Sequence, residues 1–157
     1  MEEYKTAYNL AVKMLASYPR TVFEVRNKLR KKGFQEEIIA KIIKRLEEEK
    51  ILSDEEYAKL WLENQLKYRP SGRNLCRKKM INRGLANDLV SRVLESDFSD
   101  EREIKLATLL VSRKLEEIEN KSLKKKSKIS KLGQYLDSKG FSEYIIWQVL
   151  EELGLLN

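Results

Sequence analysis

LRKKGFQEEIIAKII (Leu29 to Ile43), MINRGLANDLVSRVL (Met80 to Leu94) and LDSKGFSEYIIWQVL (Leu136 to Leu150) carry one pattern three times. Each turns on a glycine: Gly33, Gly84 or Gly140. A basic residue precedes it (Lys32, Arg83, Lys139), and a large apolar residue follows it (Phe34, Leu85, Phe141). Four residues before the glycine stand Leu29, Met80 and Leu136; eight before stand Val25, Cys76 and Leu132. Apolar pairs follow at Ile38–Ile39, Leu89–Val90 and Ile145–Ile146, then at Ile42–Ile43, Val93–Leu94 and Val149–Leu150. Spacings of three and four residues gather these positions on one face of a helix. Glycine adopts the left-handed conformation that ends a helix without steric cost, so the apolar residue after it can fold back on the helix just finished. The basic residue in the last turn faces the negative helix end. The pattern predicts two short helices joined at each glycine.

A further amphipathic helix precedes each pair. Its stripe is Ala7, Leu10, Ala11, Met14 and Leu15 in the first unit, and Tyr57, Ala58, Trp61, Leu62 and Gln65 in the second. In the third it is Ile104, Ala107, Val111, Leu115 and Ile118. Gly33 and Gly84 stand 51 residues apart, Gly84 and Gly140 56, a spacing that fits a duplicated module better than a strict solenoid. Ser53-Asp54 and Ser99-Asp100, each followed by acidic residues, read as helix starts. Proline breaks the chain at Tyr18-Pro19 and at Pro70-Ser71-Gly72. Thr21 with Glu24 three residues on forms a capping box. Three three-helix modules follow, at 1–52, 53–98 and 99–157, and the fold class is all-α.

Composition agrees. Leu, Ile, Lys, Glu and Arg dominate the 157 residues, while only 6 Gly and 2 Pro are present, too few for the turns of a sandwich or barrel. Lys and Arg number 32 against 25 acidic residues, a net charge of +7 that favours polyanionic partners. Cys76 is the single cysteine and histidine is absent, so neither an intramolecular disulfide nor a Cys/His zinc site is expected. No apolar run approaches the roughly 20 residues of a membrane helix. The N-terminus lacks the basic-then-apolar pattern of a signal peptide, so a cytoplasmic protein is the expectation. No nucleophile–base motif, phosphate-cradling glycine loop or metal spacing appears. No cofactor and no enzymatic activity are expected.

These residues resemble the RecX family of bacterial RecA-modulating proteins. The first unit matches through Arg20-Thr21, Glu24-Val25, Lys28-Leu29 and Lys32-Gly33, and the second through Asp54, Tyr57-Ala58, Trp61, Gly72 and Arg83-Gly84-Leu85. The third matches through Tyr135-Leu136, Lys139-Gly140-Phe141-Ser142 and Ile145-Ile146. Lys79-Met80 departs from the family's usual Glu-Leu, and Tyr18-Pro19 stands where a basic residue is frequent. The resemblance implies an elongated, curved tandem array of three three-helix modules. It implies a non-enzymatic, monomeric regulator that lies in the groove of the RecA filament, modulates recombination and coprotease activity there, and also binds single- and double-stranded DNA.

The side chains that suit such a partner are basic. Arg26 and Arg77 lie seven residues before their glycines, Lys28 and Lys79 five before, on the two flanks of the apolar stripe. Arg69, Arg73, Lys78 and Arg83 add to them within Lys67–Arg83, a stretch without Asp or Glu. These eight form the candidate RecA- and DNA-binding set. The plain alternative is a solvated helix flank whose methylenes cover the core edge. Lys121–Lys131 holds six lysines and no acid, and reads as an open linker held apart by self-repulsion. Trp61, Tyr57 and Trp147 lie on apolar stripes and are expected in the core, as is Cys76. A helix-turn-helix DNA reader is the rival reading. Gln35-Glu36-Glu37, Ala86-Asn87-Asp88 and Ser142-Glu143-Tyr144 would put acids against phosphate, which disfavours it.

Overall fold

The computed structural model describes residues 1–156, and among them the chain is all helix and turn, with no strand. The order is α1 (Glu2–Ser17), α2 (Val22–Lys31), α3 (Glu36–Glu48), α4 (Asp54–Tyr68), α5 (Arg73–Asn82), α6 (Asn87–Asp97), α7 (Asp100–Glu119), α8 (Lys125–Ser138) and α9 (Glu143–Glu152). Three helix triplets follow one another. The chain forms two compact units, residues 1–60 with 80–90 and residues 61–79 with 91–157.

Each helix pair closes as the glycine pattern predicts. Gly33, Gly84 and Gly140 have φ of 91°, 90° and 90°. The residue after each donates its N–H to the carbonyl five back: Phe34 to Leu29 at 3.2 Å, Leu85 to Met80 at 3.3 Å, Phe141 to Leu136 at 3.1 Å. This is the Schellman ending, which satisfies two otherwise orphaned carbonyls. The apolar positions four and eight before the glycines are all fully buried. In the first triplet Ala7, Ala11, Met14, Val25, Leu29, Ile39, Ile42 and Leu46 share one core. In the third, Ala107, Val111, Leu132, Leu136, Phe141, Ile145 and Val149 do so. At about 1.5–3 kcal/mol per large side chain, this burial outweighs the weak helix propensity of such short segments.

The helix starts are capped as expected. Thr21 Oγ1 accepts from the Glu24 N–H at 3.2 Å, and the Glu24 carboxylate accepts from the Thr21 N–H at 3.0 Å. Ser53 and Ser99 accept from the N–H three residues on, at 3.2 and 3.1 Å. Arg102 makes a two-pronged bond to Glu63, at 2.9 and 3.0 Å, that ties α7 to the end of α4.

Two expectations are corrected. Lys121–Lys131 is no open linker: from Lys125 it is the first two turns of α8. Ile129 and Leu132 pack on the third core, and Lys128 pairs with Glu119 at 3.0 Å. Burial of one apolar face outweighs repulsion between lysines that point to solvent. Trp147 is not core; it is 60% exposed. The buried stripe of α9 is Ile145, Val149 and Leu150, and Trp147 falls two residues past Ile145, on the opposite side of the helix. Trp61 and Tyr57 are half-buried, and Cys76 is fully buried.

Candidate polyanion-binding surface

In the first unit the candidate residues are Arg26, Lys28 and Arg83. Lys28, on the outer side of α2, is exposed. Arg26 is half-buried and close enough to Glu36 and Asp54 to favour their charged forms. Arg83 is about half exposed, with its guanidinium 3.7 Å from Glu24. Its carbonyl is engaged separately and accepts from Thr21 Oγ1 at 2.7 Å. The Val22 N–H, left free by the helix start, donates to Asp54 Oδ1 at 2.8 Å. Burial pushes the Asp54 carboxyl above its usual range, against this hydrogen bond.

In the second unit they are Arg69, Arg73, Arg77, Lys78 and Lys79. Arg69 and Lys78 are exposed, Arg77 and Lys79 half-buried. Arg73 is engaged by internal partners: its Nη2 lies 2.6 Å from Asp100 and its Nε donates to the Phe98 carbonyl at 2.9 Å. Its own N–H donates to Glu103 Oε2 at 2.8 Å. Glu103 is buried, and that burial pushes its carboxyl upward despite Arg73. Arg77 donates to Ser91 Oγ at 2.9 Å and borders an open cleft of about 600 Å³. Glu95, Asp100 and Glu101 also line that cleft, so its charge is mixed and ill suited to phosphate.

The eight residues therefore serve different ends. Lys28, Arg69 and Lys78 point to solvent as a polyanion contact requires. Arg73 is a structural clamp, and the side chains of Arg77 and Arg83 are shared with internal partners. Reading Arg73 as a free flank charge misses this, because its partners lie 25 to 30 residues away in sequence. The register of the repeat carries a signal: Arg73 follows Gly72, which stands 51 residues after Thr21, so it opens α5 where Val22 opens α2. Sequence reasoning also misses Tyr144 and Trp147 on α9, both exposed, as surface residues.

The class of molecule is thus an all-α protein of repeated helix triplets, with glycine-closed helix pairs and a basic solvent-facing set. Residues 7–46 match the family model for the first three-helix domain of RecX. The chain is 30% identical over 155 residues to Regulatory protein RecX from Bacillus thuringiensis (strain Al Hakam), and equally so to that of Bacillus cereus (strain AH187), covering 97% of this chain and 55% of each relative. A crystal structure of RecX from Lactobacillus salivarius aligns with a TM-score of 0.91 at 24% identity, over 98% of both chains. A second crystal structure, of regulatory protein RecX, aligns with a TM-score of 0.83 at 21% identity, over 95% of this chain and 72% of the other. The chain is thus similar to RecX proteins over 97% of its own length. It spans about half the length of the curated relatives it matches.

Proposed function

We propose that this protein regulates a RecA-type recombinase by binding its filament on DNA, acting by contact and not by catalysis. The observation that carries the reading is the 30% identity to regulatory RecX proteins across 97% of this chain. The physical route is the net charge of +7 together with the exposed cations Lys28, Arg69 and Lys78. In this proposal three modules, 1–52, 53–98 and 99–157, act in one monomeric chain. Weak contacts made by each module combine through effective concentration, so the chain bridges several filament subunits. Binding to naked single- or double-stranded DNA is weak, salt-sensitive and indifferent to sequence, because it rests on phosphate contacts. The bound chain restrains the filament by excluding second DNA or coprotease substrates, or by perturbing subunit exchange.

The test is RecA's DNA-dependent ATPase and filament co-sedimentation, with and without the protein. Tighter binding to RecA on single-stranded DNA than to either component alone supports the reading. No binding to the filament overturns it. Strong preference for one duplex sequence without RecA would transfer the role to a helix-turn-helix reader.

A further inference from the structure

A related joint is built in each unit. At Gly84 the start of α2 is seated on the glycine turn. Thr21 Oγ1 donates to the Arg83 carbonyl at 2.7 Å, Glu24 lies 3.7 Å from the Arg83 guanidinium, and the Val22 N–H donates to Asp54 at 2.8 Å. The Phe23 side chain lies so close over Gly84 that a methyl on the glycine would overlap it. At Gly140 the start of α5 is seated on the glycine turn through its backbone, with Gly72 where the first joint has Thr21. The Gly72 N–H donates to the Lys139 carbonyl at 2.8 Å and the Asn74 N–H to the Gly140 carbonyl at 3.0 Å. The Arg73 N–H donates to Glu103 at 2.8 Å, and the backbone and Cβ of Leu75, one repeat position later than Phe23, lie against Gly140. In both cases a helix start, carrying its unpaired N–H groups, meets the carbonyl end of another helix and a carboxylate from a neighbouring first helix.

The first triplet has the same seat. Residues 3–43 stand 51 before residues 54–94 without a gap, so Lys32, Gly33 and Glu3 correspond to Arg83, Gly84 and Asp54. All three are exposed. A side chain added at Gly33 would meet nothing within 4 Å. The Lys32 carbonyl accepts no hydrogen bond among the described residues. We propose that this Lys32–Gly33–Glu3 seat receives a helix start from a protein partner, with a Thr or Ser cap, a large apolar residue two positions after it and a Glu three positions after it. The apolar residue covers Gly33, the cap donates to the Lys32 carbonyl, the Glu pairs with the Lys32 ammonium, and a free N–H meets Glu3. Neither the filament reading nor any DNA contact is needed for this.

A second copy of the chain is poorly equipped to fill the seat. The starts of α2 and α5 are already seated internally. The remaining second-helix start, α8, begins Lys125-Lys126-Ser127, without a capping side chain and without a large apolar residue in its first turn. Its lysines would meet Lys32 as like charges.

The experiment uses the full chain and, as probe, a peptide of its own residues 19–31, which contains Thr21, Phe23 and Glu24. The peptide is held helical by a side-chain staple on its far face and checked by circular dichroism. Amide shifts on titration should move at Glu3, Lys32 and Gly33. Phe23→Ala in the peptide should weaken binding about tenfold or more. Lys32→Glu in the chain should weaken it several-fold, and Glu24→Lys in the peptide should restore affinity for that variant. Gly33 itself is left intact, because its positive φ would confound any substitution. The proposal is overturned if the helical peptide leaves these residues unmoved, or if it moves Arg83 and Gly84 instead. It is also overturned if the chain alone self-associates through Lys32 and Gly33, which would assign the seat to a second copy.

Discussion

Lys50 ends α3 with φ of 58°, the left-handed conformation that glycine supplies at other helix ends. The closing bonds are the same: Ile51 donates to the Leu46 carbonyl at 2.9 Å and Lys50 to the Glu47 carbonyl at 3.0 Å. A side chain in this conformation costs roughly 1–2 kcal/mol, and an exposed lysine recovers little of it. Glycine removes that strain but adds freedom to the unfolded chain. Lys50→Gly is therefore expected to stabilise by about 0.5–1 kcal/mol, read as a higher urea midpoint at constant m-value. Glu103 has the opposite character. Its folded-state pKa is raised, burial being the largest cause, so folding holds its proton more tightly than the unfolded chain does. The stability it contributes is present below the unfolded value of about 4.3 and is lost as pH rises through the raised folded value. Glu103→Gln keeps an acceptor for the Arg73 N–H and removes the titration. The stability of the variant minus that of the wild type should grow as pH rises just above the ordinary glutamate range, then level off. A difference that is flat across that window would contradict this account of Glu103.

At the scale of elements, two glycines with the same backbone conformation should respond differently to the same change. Gly33→Ala carries only the positive-φ penalty, about 1–2 kcal/mol, because its surroundings are open. Gly84→Ala carries that penalty and also pushes Phe23 off its seat, which should raise the cost to roughly 3 kcal/mol or more. Chemical denaturation of the pair measures the difference, and equal losses would mean that the seat relaxes freely. The helices themselves are legible in the sequence because apolar positions at three- and four-residue spacing coincide with glycine and capping residues. Val25, Cys76 and Leu132 read as one core position, and all three are buried. Lys121–Lys131 misleads when charge is weighed ahead of the two apolar residues, Ile129 and Leu132, that hold α8 to its core. Trp147 misleads when residue type is weighed ahead of phase on the helix. Arg73 misleads because a clamp between distant segments leaves no local spacing to detect.

On the scale of the whole molecule, the net charge of +7 invites the view that any lysine contributes equally to polyanion binding. The proposed function separates local from global charge. Lys28, Arg69 and Lys78 are exposed and lie in the candidate set, whereas Arg73 must be left alone, because its reversal would break the clamp to Asp100 and Glu103. Lys5, Lys13 and Lys44 are also exposed but lie outside the set. Reversing either group of three to Glu changes the net charge by the same amount, so long-range attraction falls alike in both variants. Only reversal of the first group should remove direct contacts. Each exposed contact is worth about 1 kcal/mol or less, so the first variant should bind the filament about tenfold or more weakly. Its dependence of log affinity on log salt should flatten by about 0.7 for each single-strand phosphate that is no longer neutralised. The control variant should keep its slope and lose only the modest share due to net charge. Both should retain the wild-type helical circular dichroism, since none of the six residues is buried. Co-sedimentation with RecA on single-stranded DNA over a salt series distinguishes the two. Equal losses with equal slopes would show that the chain is held by its overall field, and would remove Lys28, Arg69 and Lys78 from the contact surface.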